Sequence, residues 1–147
     1  MTLKTLLLAT LLLPGVALAN DAQAIRASAP WIRLLPANLP AGGFVTLLND
    51  SDRDVSLRSA SSPSYGSVML HKSSTEGGMG RMEMVDSLSI PAHGKAMLAP
   101  GGYHLMMMNA AKPVAVGDKV KVTLQFGDGS TSTVEFVAKP ANTIDGD

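Results

Sequence analysis

The strict alternation of apolar and polar side chains over residues 119–126 restricts the fold of this chain more than any other pattern. Four apolar residues occupy every second position there, and four polar ones lie between them. Successive side chains of a β-strand point to opposite faces, so the pattern predicts a strand with one buried face. The turn residues Gly127-Asp128-Gly129-Ser130 follow, and residues 131–137 then return as the hairpin partner.

Short apolar segments recur along the rest of the chain, separated by clusters of Pro, Gly, Asn, Asp and Ser. No stretch after residue 19 keeps an apolar period of 3.6 residues over three helical turns, which disfavours a helical fold. We therefore predict an all-β sandwich or barrel. The further strands expected are residues 25–29, 43–48, 55–60, 65–73, 81–85, 95–98 and 103–108.

Residues 1–19 have the features of a secretory signal peptide. Lys4 supplies the positive charge of the n-region, residues 6–13 form the apolar h-region, and Ala17-Leu18-Ala19 is a small-residue cleavage site. The run is too short to cross a membrane, which takes about 20 apolar residues. We expect cleavage after Ala19 and export to the periplasm. The expected organisation is a signal peptide over residues 1–19, one domain over residues 20–139 and a flexible tail over residues 140–147.

Two features of the composition exclude whole classes of function. The chain has no cysteine, so it has neither a disulfide framework nor a thiolate that could act as a metal ligand or nucleophile. Its 12 basic and 12 acidic residues balance, and no basic stripe is available to hold nucleic acid or an anionic membrane. The Gly-x-Ser-x-Gly elbow of many hydrolases is also absent, and we do not expect an enzyme.

Histidine and methionine are concentrated in one part of the chain. All three histidines and eight of the nine methionines lie between residues 69 and 108. Methionine alone can serve as an adaptable filler of a core, but packing does not call for histidine beside it. Thioether sulfur and neutral imidazole are together ligands for a soft metal ion, with Cu(I) foremost. The cluster therefore indicates copper binding.

The alternation of side chains along strands brings four of these donors together. His104 and Met106 share one face of their predicted strand, whereas Met107 points to the other face. His71 shares a face of its predicted strand with Met69, whereas Val68 and Leu70 face the opposite way. The glycine-rich segment that follows lets the chain double back and bring Met82 near His71.

The types of donor select the metal. Zinc sites favour thiolate, histidine and carboxylate, and calcium and magnesium favour oxygen ligands. Two imidazoles with two thioethers suit the softness of Cu(I). A blue-copper electron-transfer centre is excluded because it needs a cysteine thiolate, so metal transport is favoured over redox catalysis.

The other methionines and the third histidine lie outside this set of four donors, and the sequence suggests a different role for each. Met79 or Met84 can substitute for Met82, or can shield the ion from outside its ligand shell. His93 lies in a Pro-Ala-His-Gly turn and is expected to face solvent. Core packing is favoured over ligation for Met69, Met97 and Met107.

The order of the four donors resembles the signature of the periplasmic PCu(A)C copper chaperones. Ten residues separate His71 from Met82, twenty-one separate Met82 from His104, and one separates His104 from Met106. The similarity covers nearly all of residues 25–137. It is carried by segments 29–33, 43–49, 69–71, 100–106 and 117–120.

The resemblance implies a cupredoxin-like, immunoglobulin-like Greek-key β-sandwich that holds one Cu(I). The implied ligands are His71, Met82, His104 and Met106. The resemblance also implies delivery of the ion to the copper A centre of a cytochrome c oxidase subunit, with a thiol-based copper assembly factor as a further partner. Residues 138–147 contain neither histidine nor methionine, so the second, Cu(II), site of some family members is not expected.

Two other functions fit the same sequence. A periplasmic copper-sequestering or tolerance protein would use the same ligands to buffer the ion rather than to deliver it. A metal-free secreted β-sandwich interaction module would use its methionines as core residues. Titration with Cu(I) distinguishes the module from both copper proteins, and a transfer assay distinguishes delivery from sequestration.

Overall fold

The computed structural model describes residues 19–37 and 39–146, and this part of the chain consists almost only of strands and turns. The predicted signal peptide lies outside the described residues, apart from Ala19. A short helix α1 (Asp21–Ala24) precedes the first strand, and a 3-10 helix spans Glu76–Gly78. The ten strands are β1 (Ile25–Arg33), β2 (Ala41–Asn49), β3 (Val55–Ser61), β4 (Tyr65–Ser74), β5 (Arg81–Met84), β6 (Leu88–Ile90), β7 (Lys95–Leu98), β8 (Tyr103–Ala110), β9 (Lys119–Phe126) and β10 (Thr131–Lys139).

The all-β fold and every predicted strand are confirmed, although several strands are longer than predicted. The sequence prediction missed β6 and α1. β6 has three residues, too few to show an alternating period. α1 is a single turn that begins with a capping box, in which Asn20 Oδ1 accepts from the Gln23 N–H and Gln23 Oε1 accepts from the Asn20 N–H.

The strands follow the order β5-β4-β8-β7-β2-β1-β10-β9-β3-β6, and β8 also pairs with β2. Most neighbours are antiparallel, but β1 runs parallel to β10 and β7 runs parallel to β8. Contacts of β3 with β4 and of β6 with β7 bring distant parts of this order together. The sheet therefore folds over itself into two packed layers, which is the sandwich that the sequence predicted.

One apolar core lies between the two layers. It includes side chains from both halves of the strand order, such as Leu70 and Leu105 from one and Phe126 and Phe136 from the other. β4 and β8 turn alternate residues into this core and leave the remaining ones on the outer face of their layer. The predicted donor residues are on that outer face.

A bulge in β1 reverses the alternation of the strand, so that Ile25 before it and Ile32 after it both face the main core. The pairing with β2 shifts between Ser28 and Trp31, where Ala29 has a positive φ of 49°. Beyond the bulge, Ile32 enters the main core, whereas Trp31 is buried on the outer face. The bulge therefore places a large aromatic side chain beside the donor residues.

The C-terminal segment 140–146 forms no helix or strand but contacts β1 and β10. The Arg33 guanidinium donates hydrogen bonds of 2.7 and 3.1 Å to the Thr143 carbonyl, and Lys139 Nζ donates one of 2.6 Å to the Gly146 carbonyl. Flexibility of this tail stays a prediction. None of the helices in the described part of the chain has the length and apolar character needed to cross a lipid bilayer.

Leu105 is fully buried in the core between two predicted ligands of β8. We expect Leu105→Ala to lower the free energy of unfolding by about 2–5 kcal/mol, because the lost contacts leave a cavity. Lys121→Ala, on an exposed position of β9, should change it by under about 0.5 kcal/mol. Urea titration of the metal-free variants measures both, and equal effects would contradict the assigned faces.

Candidate metal centre

The pairing of three neighbouring strands places the predicted donors on one face. β4 lies between β8 and the edge strand β5, and it runs antiparallel to both. His71 of β4 lies directly opposite His104 of β8 and, on its other side, directly opposite Met84 of β5. Directly paired side chains point to the same face, so these three residues form one row across the sheet.

The rows on either side of the histidines carry further thioethers. In one row, Met69 of β4 pairs with Met106 of β8. In the other row, Ser73 of β4 pairs with Met82 of β5. The four predicted ligands therefore share one face, with the histidines between the two thioethers. Met69 and Met84 share that face with them.

The ring of His104 has a fixed orientation. The residue is 5 % exposed, and its Nδ1 lies 3.1 Å from the Gly102 carbonyl oxygen. A carbonyl only accepts hydrogen bonds, so Nδ1 carries the proton and Nε2 keeps its lone pair. The same carbonyl accepts from the Ser73 N–H at 3.0 Å, which ties the turn before β8 to β4. Gly101 in that turn has a φ of 86°, a conformation that favours glycine.

His71 supplies the second imidazole. Its ring centroid lies 5.8 Å from that of His104, with the two planes at 69°. Burial lowers the pKa of His71 below its ordinary value of 6.5, and the neighbouring His104 lowers this pKa further. His71 is therefore neutral at pH 7, which is the form of imidazole that binds a metal.

The hydrogen bonding of the histidine ring nitrogens indicates whether a metal ion fits this face. Both ring nitrogens of His71 and Nε2 of His104 are buried and have no hydrogen-bond partner in the described part of the chain. A buried polar atom left without a partner costs about 1–3 kcal/mol, and an ion that accepts the imidazole lone pairs removes part of this cost. Residues 19–37 and 39–146 contain no group of three or more His, Cys, Asp or Glu side chains that could hold a metal. The available donors thus fit a soft ion.

Phe44 and Trp31 form an aromatic wall behind His104. The ring centroid of Phe44 lies 6.4 Å from that of His104 and 4.7 Å from that of Trp31. The Arg33 guanidinium carbon lies 5.4 Å from the Phe44 ring centroid and 5.5 Å from the Trp31 ring centroid. Both aromatic residues are buried, so the wall excludes water from one side of His104.

Sequence reasoning did not assign the aromatic wall, because pairing between distant segments builds it. Trp31 of β1 lies directly opposite Phe44 of β2 only because of the bulge. Gly42 makes room for the wall, since a Cβ there would lie 3.0 Å from Phe44 Cζ. Gly42 in turn lies opposite Met106 in the pairing of β2 with β8. Trp31 and Phe44 both lie in segments that carry the family resemblance, residues 29–33 and 43–49, but those segments do not show that the two rings meet.

The remaining methionines and His93 differ in how well they were predicted. Met107 is fully buried, as the alternation along β8 predicts, and its Sδ would lie 3.2 Å from a Cβ at Gly43. The predicted core packing of Met69 and Met97 is wrong, because both side chains are exposed. Each pairs with a residue of the outer face, Met69 with Met106 and Met97 with Thr46. His93 is exposed, as predicted for its turn.

A protein family and a curated protein are similar to this chain in sequence. The family described as "Putative lipoprotein LpqE-like" matches residues 25–138. A protein of Leifsonia xyli subsp. xyli, named "Putative lipoprotein", is 34 % identical over 121 residues, which are 82 % of this chain and 72 % of the relative. These matches confirm the family resemblance that the sequence indicated.

Solved structures share the fold. The solution structure of Cu(I)-bound DR1885 from Deinococcus radiodurans is 33 % identical, covers 90 % of this chain and 87 % of its own, and superposes with a TM-score of 0.63. The copper-bound PCuAC domain from PmoF2 is 24 % identical, covers 80 % of this chain and 93 % of its own, and has a TM-score of 0.67. The chain therefore belongs to the LpqE-like family and has the cupredoxin-like β-sandwich fold of PCuAC domains.

Proposed function

We propose that this protein is a periplasmic copper chaperone that binds one Cu(I) through His71, Met82, His104 and Met106. One observation carries the proposal: two imidazoles face each other across β4 and β8, with buried nitrogens that have no hydrogen-bond partner in the described chain. A thioether lies in the row on each side of this pair. Such neutral, soft donors favour Cu(I) over zinc or calcium.

The copper content of similar proteins supports the choice of ion. DR1885 was solved with Cu(I), and the PmoF2 domain was solved with copper. The DR1885 match covers 90 % of this chain, at a TM-score of 0.63. The ligand set proposed here adds a chemical reason, because two thioethers and two imidazoles carry no negative charge and suit a soft monovalent cation.

The unequal burial of the donors supports delivery rather than storage. His104 is buried and oriented by its hydrogen bond, whereas Met82 is 53 % exposed on the edge strand β5. A thiolate of a partner can approach from the Met82 side and displace a neutral thioether without separating opposite charges. We therefore propose delivery to the copper A centre of cytochrome c oxidase and exchange with a thiol-based copper assembly factor.

Export to the periplasm is part of the proposal. Residues 1–19 have the composition of a signal peptide, and the matching family and the Leifsonia relative are both named as lipoproteins. A site without cysteine suits an oxidising compartment, because thioethers cannot form disulfides. Oxidation of methionine to the sulfoxide is the remaining chemical risk there.

We expect the Cu(I)-loaded protein to transfer its ion to the apo form of an oxidase domain that carries a copper A centre. The two proteins are mixed anaerobically at equal concentration, separated by ion exchange and analysed for copper. A chelator that buffers Cu(I) to the same free concentration serves as the control and should load the domain more slowly. Retention of the ion by this protein would support sequestration and contradict delivery.

Three consecutive methionines separate ligation from packing. Leucine has nearly the volume of methionine but cannot bind copper, so Met106→Leu should lower Cu(I) affinity by about tenfold or more. Met107→Leu should leave the affinity unchanged and cost under about 1.5 kcal/mol of stability, as a volume-conserving core substitution. Met108→Leu should have a smaller effect on affinity than Met106→Leu.

Competition with a colorimetric chelator and thermal melts of the apo variants measure these effects. Loss of binding in Met107→Leu, with normal binding in Met106→Leu, would contradict both the assigned faces of β8 and the proposed ligands.

Cu(I) affinity should depend on pH through the histidines. Burial and the neighbouring His104 lower the pKa of His71 below 6.5, so protons compete with the metal there only in acid. The affinity should therefore be constant near pH 7. It should fall by about tenfold per pH unit for each displaced proton once the pH drops below the pKa of His71. Chelator competition between pH 4.5 and 7.5, with NMR titration of the apo imidazoles, measures this; a constant affinity over the whole range would contradict histidine ligation.

A further inference from the structure

We infer that Met84 is a second thioether ligand that exchanges with Met82, so that Cu(I) is held by either methionine of β5 in turn. The inference rests on the proposed copper site and adds a residue to it. Its first support is the register of β5 on β4. Met84 lies directly opposite His71, whereas Met82 lies opposite Ser73, one row away.

The register places the Cβ of Met84 nearer to His71 than the Cβ of Met82. In an antiparallel pair, directly opposed Cβ atoms are about 4.5–5.5 Å apart, and diagonal neighbours are about 7–8 Å apart. A methionine side chain has three rotatable bonds, so both sulfur atoms can span the remaining distance to an ion bound at His71. The direct partner of Met82 is a serine, whose hydroxyl is a hard donor and does not suit Cu(I).

The environment of β5 leaves both side chains free to exchange. β5 is the edge strand of the sheet, and Met82 and Met84 are 53 % and 71 % exposed. Met82 and Met84 are two positions apart in one strand, so they share a face. The direct pairing of Met84 with His71 makes this the face that carries His71 and His104. Neither thioether is locked by packing, and the two have identical donor chemistry. The ion therefore has no strong reason to select one of them.

Exchange of this kind gives the ion a stepwise exit. While one thioether holds the ion, the other is free, and an incoming donor can take its place without reducing the ion to the three ligands His71, His104 and Met106. Met84 is the more exposed of the two and lies at the outer end of the row formed with the histidines. It is thus the thioether that a partner reaches first.

The test uses three variants of the full mature protein: Met82→Leu, Met84→Leu and the double variant. We expect each single variant to lose less than about tenfold in Cu(I) affinity and the double variant to lose more than about a hundredfold. Met79→Leu is the matched control, because Met79 is 70 % exposed but lies outside the β4–β5 pairing. It should bind like the unmodified protein.

A second measurement does not depend on affinity. With 13C-methyl methionine labels, Cu(I) should shift the methyl signals of both Met82 and Met84, and loss of either residue should increase the shift of the other. The inference is overturned if Met82→Leu alone loses as much affinity as the double variant. It is also overturned if the Met84 methyl does not shift. Failure of the unmodified protein to bind Cu(I) would instead contradict the proposed function.

Discussion

The antiparallel register of β4 against β8 determines the rest of the site. Core residues enforce this register, because Leu70 pairs with Leu105 and Val68 with Met107 on the buried face. A slip of one residue would turn Leu105 to the outer face and His104 into the core. The burial of the apolar side chains therefore sets the facing position of the two imidazoles. The geometry of the donors is a consequence of hydrophobic packing on the other side of the same strands.

The same arrangement creates a local conflict in the metal-free protein. The aromatic wall and the layer beneath it remove water from His104, but no group within residues 19–37 and 39–146 takes the place of that water at Nε2. Burial disfavours the charged form of His71, which keeps its lone pair available near neutral pH. An unsatisfied polar atom in a buried position is costly, so the folded protein is most stable when a soft cation accepts these lone pairs.

The sequence predicted the features that depend on local patterns and missed those that depend on distant pairing. The β9–β10 hairpin follows from strict alternation and a glycine-containing turn, and the facing of Met106 and Met107 follows from their spacing alone. The Trp31–Phe44 wall arises from a bulge and from pairing across the β1–β2 connection, neither of which leaves a periodic signal. The sequence also does not show which of Met82 and Met84 lies opposite His71. The register of β5 depends on the conformation of the loop before it, where Gly77 and Gly78 have positive φ.

The site therefore combines a rigid half and an adjustable half, and this division follows from the place of each strand in the sheet. β4 and β8 are interior strands that are paired on both sides and anchored in the core, so their histidines have little freedom. β5 is paired on one side only, is short, and buries none of its four side chains. Its thioethers can change position at little cost in packing. The copper carrier proposed here would use both properties, because histidines that stay in place would maintain selectivity for the ion while thioethers that move would permit its release.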